Sequence, residues 1–187
     1  MASRHNHLGQ PIGEPLPEWR PPPFPPREPL EGRFCRVEPL TLEAHFDSLY
    51  VANARARDDR NWTYLPYGPF PDREGYRVWM EGACSSTDPL FHAIVDARTR
   101  KAVGVAAYSR ITPPVGVIEV GHLVFSPLLQ RTPAATEAMF LMAERAFAVG
   151  YRRYEWKCDA LNAPSRAAAL RLGFSFEGLF PQATLYK

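Results

Sequence analysis

The segment FSPLLQRTPAATEAM, residues 125–139, decides the fold of this chain, because an apolar run ends in it and a helical pattern begins. Pro127 ends the apolar run. Pro133 is compatible with the first turn of a helix, because backbone N–H groups in that turn make no intrahelical hydrogen bond. A strand-to-helix junction of this kind brings together unpaired backbone N–H groups, the positive end of a helix dipole and the basic side chain of Arg131. The segment therefore predicts a site that holds an anion.

The apolar pattern on both sides of this junction predicts an α/β domain with a mixed sheet. Thr41 and Asp72 are expected to cap two helices, and Gly150 is expected to end the helix that starts at Pro133. Residues 97–101 are expected to join two strands in a β-hairpin. The expected strands are residues 33–40, 90–96, 102–111, 117–126, 151–161 and 175–187, and the expected helices are residues 41–54, 73–84, 133–150 and 162–174.

Residues 1–31 are expected to form a proline-rich N-terminal arm, and residues 32–187 to form the folded domain. Prolines at this density exclude a helix interior or a central strand and favour extended or polyproline II backbone. Two alternatives remain open for the arm. It is either a flexible or partner-binding tail, or a segment that wraps the domain and buries Trp19, Phe24 and Leu30. The apolar side chains between the prolines favour the wrapped arm.

The composition is that of an ordinary globular domain, with 45% hydrophobic residues, 22% charged residues and a net charge of +2. The small charge predicts no nucleic-acid partner, and no apolar run approaches the roughly 20 residues that span a bilayer, so no membrane role is expected. The widely spaced Cys35, Cys84 and Cys158 are expected to be buried, reduced thiols in a cytoplasmic protein. The five histidines show no metal-ligand spacing, so no metal site is expected.

A second strand-to-helix junction follows at DALNAPSRAAALRLGF, residues 159–174. If the two strands that lead into these junctions are parallel neighbours, both helix N-termini border a crevice at the carboxyl ends of the strands. The first junction, from Phe125 to Ala135, matches the pattern aliphatic-x-Pro-x-x-Gln/Arg-x-x-Gly-x-Gly/Ala, except that Pro133 replaces the first glycine. The second matches Asn-x-x-Ser/Ala followed by a short helix and Gly-Phe, at Asn162, Ser165, Gly173 and Phe174.

This pair of motifs resembles the acyl-CoA site of the GNAT N-acetyltransferase superfamily, and the continuation "ATEA" resembles its ribosomal-protein N-terminal acetyltransferase branch. The resemblance covers about residues 33–187. It implies the GNAT fold, a mixed and mostly antiparallel sheet with a splayed parallel strand pair and flanking helices. That fold ends with a further C-terminal strand, which is missing here. Either the chain is truncated, or the sheet edge is covered by the arm or by a second subunit in a homodimer.

The resemblance also implies that acetyl-CoA is the acetyl donor. Backbone N–H groups of Leu123, Val124 and Phe125 would then bind pantetheine and polarise the thioester carbonyl. Asn162 would hydrogen-bond the pantetheine arm, cap its own helix, or do both, and Ser165 would lie near the sulfur or the diphosphate. Since Pro133 has no N–H, one diphosphate hydrogen bond is lost, and the charge of Arg131 can compensate. The residues expected at the diphosphate are Gln130, Arg131, Thr132, Ala134 and Ala135.

The same resemblance makes Glu119 the candidate general base, since it is an acidic residue in an apolar strand six positions before Phe125. The alternative is a glutamate that faces solvent or pairs with an arginine. His122 is either a packed histidine or, if a β-bulge turns it round, a base on the face of Glu119. The tyrosine that relatives use as acid for the thiolate is replaced by Ala169, which leaves Ser165 or a water for that role.

The aromatic loop of residues 61–70 is expected to border the acceptor pocket through Trp62, Tyr64 and Tyr67, together with His122. A hydrophobic plug against the arm is the alternative role for this loop. Three functions follow from the sequence. The chain is an N-acetyltransferase acting on a primary amine of a small molecule or a protein N-terminus, a non-catalytic acyl-CoA-binding protein, or a scaffold whose proline-rich arm recruits a partner.

Overall fold

The chain is described by a computed structural model that covers residues 4–185. Its main feature is a six-stranded sheet with the strand order β3-β4-β5-β6-β7-β8, and the short strands β1 and β2 form a separate antiparallel pair. The strands are β1 Arg4–His5, β2 Pro11–Ile12, β3 Leu30–Glu31, β4 Cys35–Pro39, β5 Leu90–Asp96, β6 Ala102–Thr112, β7 Val117–Phe125 and β8 Arg153–Glu155. All neighbouring pairs in the large sheet are antiparallel except β7 and β8, which run parallel.

The described residues form four α-helices, and each begins at a side chain that caps it. Side-chain oxygens of Thr41, Asp72, Thr132 and Asn162 accept hydrogen bonds from backbone N–H groups of the first turn. As expected, the helix that starts at Pro133 ends at Gly150, which takes a left-handed conformation with φ of 112°. The helices are α1 Leu42–Asn53, α2 Arg73–Ser85, α3 Pro133–Val149 and α4 Ala163–Arg171.

The hydrophobic core lies in two layers, one on each face of the sheet. Apolar residues of α3, such as Met139 and Met142, pack on the face that carries Ile118 and Val120 of β7. Residues of α1 and α2, such as Leu49 and Met80, pack on the opposite face. Because both faces are covered, β5 and most of β6 are buried continuously rather than in alternation.

The proline-rich arm lies against the domain, as the wrapped-arm alternative predicts. Pro22, Pro25 and Leu30 are buried, and Trp19 is half-buried. The expectation is wrong for Phe24, which is 46% exposed. The arm contributes β3 at the β4 edge of the sheet, and among the described residues no strand of the arm pairs with β8 at the opposite edge.

Two of the expected strands differ from the structure. The expected strand 151–161 is ordered as a strand only at Arg153–Glu155, because β7 diverges from it beyond that point and offers no further partner. The expected strand in 175–187 is absent from its described part, residues 175–185, where no neighbouring strand pairs with it. Phe176 and Phe180 of that segment are each 73% exposed. Residues 186 and 187 lie outside the described chain.

The cysteines are only partly as expected. The three thiols are free, but Cys35 alone is buried, Cys84 is half-buried and Cys158 is exposed on the connection between β8 and α4. Within residues 4–185, none of the helices has the length and the apolar character that crossing a membrane would require.

Candidate active site

The central feature of the site is a cleft where the parallel strands β7 and β8 separate. Their pairing ends at Glu119 and Glu155, yet β7 continues to Phe125. The following helices α3 and α4 both start at the carboxyl ends of these strands, so their N-termini border the same cleft. This is the pair of junctions that the sequence predicts, and the splayed strand pair is confirmed.

The backbone N–H groups along β7 do not all point into the cleft. Ser126 N donates to Val103 O of β6 at 3.2 Å, and Val124 is the register partner of Val105. Because successive N–H groups of a strand alternate in direction, the N–H of Val124 also points at β6. The expectation for Val124 is therefore wrong, and Leu123 and Phe125 present the N–H groups that face the cleft.

The N-terminus of α3 offers fewer free donors than the sequence suggests. Thr132 N donates to Leu129 O at 3.3 Å, and Ala135 N donates to the Thr132 hydroxyl at 3.3 Å. Pro133 has no N–H. Among the described residues, the N–H groups of Arg131 and Ala134 are left without a protein partner. Arg131 is exposed and takes a left-handed backbone conformation with φ of 60°, so its charged side chain is available at this end of the cleft.

Gln130 has a different role from the one expected. Its side-chain amide donates to Phe125 O at 2.8 Å and to the Asn61 side chain at 3.2 Å. Asn61 also donates to Phe125 O, at 3.2 Å. Gln130 thus ties the end of β7 to the aromatic loop, and its amide N–H groups are engaged within the protein. Asn61 was missed by sequence reasoning, since only the tertiary contact with β7 distinguishes it from other loop residues.

The N-terminus of α4 lies across the cleft and is capped by Asn162. The Asn162 side chain accepts from Ser165 N at 3.1 Å, so the capping alternative is observed. Trp156 Nε1 donates to the Ser165 hydroxyl at 3.0 Å, which fixes that oxygen and leaves its own proton free to donate. Tyr64 of the aromatic loop donates to Leu161 O at 3.2 Å, so the loop also contacts this side of the cleft.

Glu119 lies at the point where the two strands separate, and it is paired with cations. Its carboxylate is buried, at 4% exposure, and contacts Arg110 Nη1 at 2.5 Å and Lys157 Nζ at 3.2 Å. Lys157 also bonds Glu155 at 2.5 Å. The arginine-paired alternative for Glu119 is the arrangement observed. Arg110 and Lys157 had no signal in the sequence, because their approach to Glu119 depends on the register of three strands.

Two β-bulges shape the strand pair β6–β7 beside Glu119. Between Ser109 and Thr112 the extra residue is on β6, and between Gly121 and Val124 it is on β7. Arg110 and His122 occupy these bulges with left-handed φ values of 46° and 53°. Asp88 holds the first bulge by accepting from Arg110 N at 2.9 Å and Ile111 N at 3.0 Å.

His122 lies on the same face of the sheet as Glu119, because the bulge reverses the regular alternation. Its ring stacks on Tyr67 with centroids 5.7 Å apart, and Nδ1 lies 3.3 Å from the Tyr67 hydroxyl. The Phe91 ring packs edge-to-face on the His122 ring, with centroids 5.3 Å apart. Burial lowers the pKa of His122 below its ordinary value, and nearby Arg110 lowers it further against the opposing effect of Asp88.

The expected pocket residues are thus divided between two roles. Tyr67 and His122 lie together beside the cleft, and Tyr67 also packs on Trp79 with centroids 4.8 Å apart. Trp62 is 8% exposed and belongs to the core that packs α1 and α2 on the sheet. The aromatic loop is therefore anchored in the core by Trp62 and borders the cleft with Tyr67. Among residues 4–185, the histidine, cysteine and acidic side chains form no cluster of three or more that could hold a metal ion.

These features fit an acyl-CoA donor: cleft-facing N–H groups on β7, and the free N–H groups of Arg131 and Ala134 at the start of a long helix. Comparison with known proteins points the same way. The family model of the acetyltransferase (GNAT) domain matches residues 36–175. No curated protein matches the chain significantly.

Several solved structures are similar over most of the chain. A GCN5-related N-acetyltransferase from Brucella melitensis is 44% identical, with a TM-score of 0.89, over 92% of this chain and 78% of that one. A probable acetyltransferase of the GNAT family from Chromobacterium violaceum is 38% identical, with a TM-score of 0.87, over 95% of this chain and 89% of that one.

A more distant structure shows the same fold. It is the acetyltransferase from Salmonella typhimurium that modifies the N-terminal serine of ribosomal protein L7/L12, at 18% identity and a TM-score of 0.68, over 83% of this chain and 89% of that one. The matched domain, the two similar structures and the split strand pair agree with one another. The chain belongs to the GNAT acetyltransferase family and is an acyltransferase.

Proposed function

We propose that the chain transfers the acetyl group of acetyl-CoA to a primary amine, of a small molecule or a peptide N-terminus, by direct attack in a ternary complex. One observation carries the proposal. The open edge of β7, with the N–H groups of Leu123 and Phe125, lies between the N-termini of α3 and α4. Such an edge can bind an extended pantetheine arm while the helix N-termini accept its anionic end.

Each group of the cleft has a role in this proposal. Acetyl-CoA supplies the thioester whose acyl group is transferred. The N–H groups of Leu123 and Phe125 hold the extended arm and stabilise negative charge on the carbonyl oxygen. The N–H groups of Arg131 and Ala134, together with the Arg131 side chain, bind the diphosphate. The Ser165 hydroxyl, oriented by Trp156, supplies a proton to the leaving sulfur.

The acceptor side of the cleft is aromatic, which bears on the kind of amine that is bound. An ammonium group is attracted to the faces of aromatic rings, and Tyr67 and Trp79 pack together beside His122. We infer that the amine approaches from this face of the sheet, opposite to α3. An acceptor with an apolar or aromatic body attached to its amine suits these surroundings.

Donor binding is tested by the thermal stability of the protein with coenzyme A. At 100 times the dissociation constant, CoA should stabilise the fold by about 2.7 kcal/mol, which raises the Tm by at least about 5 °C. Arg131→Asn should reduce this shift, since asparagine tolerates the left-handed backbone but carries no charge. The exposed Arg98→Asn, in the β5–β6 hairpin, is the matched control and should keep the full shift. No shift in the unaltered protein would remove the basis of the proposal.

Catalysis is tested separately, by thiol release from acetyl-CoA with a panel of primary amines and short peptides. Turnover with at least one member is expected. A Tm shift with CoA but no thiol release from any acceptor would instead favour the non-catalytic acyl-CoA-binding alternative.

A further inference from the structure

We propose that His122, and not Glu119, takes the proton from the acceptor amine, and that Tyr67 positions its ring. This inference rests on the proposed function and names the residue that performs one of its steps. It starts from the bulge in β7, which inserts one extra residue between Gly121 and Val124. Without that bulge His122 would lie on the α3 face, among the residues that pack the core.

The bulge places His122 where an acceptor amine has to pass. The diphosphate is proposed to bind at the N-terminus of α3, and α3 packs on one face of the sheet. The His122 ring contacts Tyr67 and Phe91, which belong to the layer on the other face. The next residue, Leu123, presents its N–H to the cleft between β7 and β8. His122 therefore borders the thioester position from the face opposite to α3.

The contacts of the ring leave one nitrogen available. Nδ1 lies 3.3 Å from the Tyr67 hydroxyl, and among the described residues Nε2 has no hydrogen-bond partner. When Nδ1–H donates to the Tyr67 oxygen, the lone pair of the neutral ring is on Nε2. Tyr67 is itself held by packing against Trp79 and Trp62. Its stacked ring fixes the plane of the imidazole, and its hydroxyl can accept from Nδ1–H in the tautomer that leaves Nε2 free to take a proton.

Glu119 is less suited to the same step, although it lies on the same face. Arg110 at 2.5 Å and Lys157 at 3.2 Å neutralise its buried carboxylate. An incoming ammonium would have to displace one of these cations before the carboxylate could accept its proton. Glu119 instead fixes the point at which β7 and β8 separate, and it holds Arg110 in the bulge of β6.

The charges around His122 keep its ring neutral near pH 7. Burial lowers its pKa and so does the positive charge of Arg110, whereas Asp88 acts in the opposite direction. Tyr67, which faces the ring, stays uncharged because burial raises its pKa. A neutral imidazole can accept a proton, so the base is in its active form at physiological pH.

The chemical step then balances. Nε2 takes one proton from the ammonium, and the lone pair of the amine forms the C–N bond with the thioester carbon. The C–S bond breaks as the tetrahedral adduct collapses. The Ser165 hydroxyl gives its proton to the leaving sulfur and regains one as the nitrogen loses its second proton. His122 releases its proton to solvent, so each turnover yields the amide, the free thiol and one proton.

The test compares three variants by thiol release from acetyl-CoA, using the primary amine of the panel with the highest turnover. His122→Asn should lower kcat/KM on the order of 100-fold at pH 7, and asparagine keeps the left-handed backbone. The unaltered enzyme should lose activity as the pH falls through the pKa of His122, which burial and Arg110 hold below the ordinary value for histidine. This decline of activity at low pH, the acid limb of the pH profile, should be absent in His122→Asn and retained in Glu119→Gln.

Tyr67→Phe keeps the stacked ring and removes the hydroxyl. It should lower kcat and move the acid limb to a different pH, while KM changes little. The Tm shift with CoA should be preserved in His122→Asn, which shows that the cleft is folded. Thiol release by the unaltered protein, combined with unchanged activity or an unchanged acid limb in His122→Asn, overturns this inference alone. No thiol release by the unaltered protein with any amine overturns the proposed function, and the inference with it.

Discussion

His92 is a buried histidine outside the cleft, and it links two layers of the molecule. It is 2% exposed, its Nδ1 lies 3.0 Å from Leu90 O, and its ring meets the Tyr108 ring at 5.5 Å. The Tyr108 hydroxyl donates in turn to Met142 O of α3 at 2.6 Å. Burial lowers the pKa of His92 to about 4, and the hydrogen bond with Leu90 only partly opposes this.

This lowered pKa makes the stability depend on pH. Below about pH 6.5 the unfolded chain binds a proton at His92 that the folded protein does not, so the free energy of unfolding should fall as the pH decreases towards 4. The loss should total roughly 3 kcal/mol across that interval. Urea unfolding of the unaltered protein and of His92→Gln at pH 7, 6, 5 and 4 measures it. Equal pH slopes for the two proteins would contradict the assignment.

At the scale of elements, α3 is joined to the sheet edge through the carboxylate of Glu137. Its two oxygens accept from the backbone N–H groups of Arg33 at 2.8 Å, Phe34 at 2.6 Å and Cys35 at 2.8 Å. The approach is so close that a Cβ at Gly32 would lie 2.4 Å from Glu137 Oε2. Burial opposes ionisation, but the N–H groups of Phe34, Arg33 and Cys35 outweigh it and hold the pKa of Glu137 below its ordinary value.

Glu137→Gln should therefore lower the free energy of unfolding by about 2 kcal/mol, because an amide group would turn its N–H₂ towards backbone donors. Glu144→Gln is the matched control, since this glutamate lies exposed on the same helix. The control should change stability by less than about 0.5 kcal/mol. Urea unfolding at pH 7 measures both variants, and equal effects would show that Glu137 does not anchor α3.

At the scale of the whole molecule, the proline-rich arm connects parts that are distant in sequence. The Trp19 ring covers Gly116, where a Cβ would lie 2.3 Å from it, and the Arg152 guanidinium lies 5.5 Å from the ring centre. Tyr151 donates to Pro23 O at 3.3 Å, and Arg27 donates to Ser86 O at 2.5 Å. These contacts support a structural role for the arm over partner recruitment.

Removal of the Trp19 ring should accordingly destabilise the domain. Trp19→Ala should lower the free energy of unfolding by about 1–2 kcal/mol, through lost apolar burial and the lost contact with Arg152. Leu16→Ala, at a side chain that is 57% exposed, is the matched control and should have little effect. Thermal unfolding with and without CoA measures both. If Trp19→Ala unfolds at the temperature of the control, the arm does not hold the domain together.

Much of the fold could be predicted because its signals are local. The caps Thr41, Asp72 and Asn162, and the helix end at Gly150, depend on residues within one helical turn. The hairpin of β5 and β6 depends on two runs of apolar residues and the short turn between them. The two strand-to-helix junctions that precede α3 and α4 could be recognised because each is a short, continuous stretch of sequence. These junctions in turn indicated the family and its splayed strand pair.

The sequence by itself thus determined the four helices, the central strands of the sheet and the place of the cleft. Only the tertiary structure decided which atoms face that cleft. The bulge that turns His122 round, the direction of the Val124 N–H, and the pairing of Glu119 with Arg110 and Lys157 all depend on strand register. Register is fixed by backbone hydrogen bonds between segments far apart in the chain, and a shift of one residue moves a side chain to the opposite face.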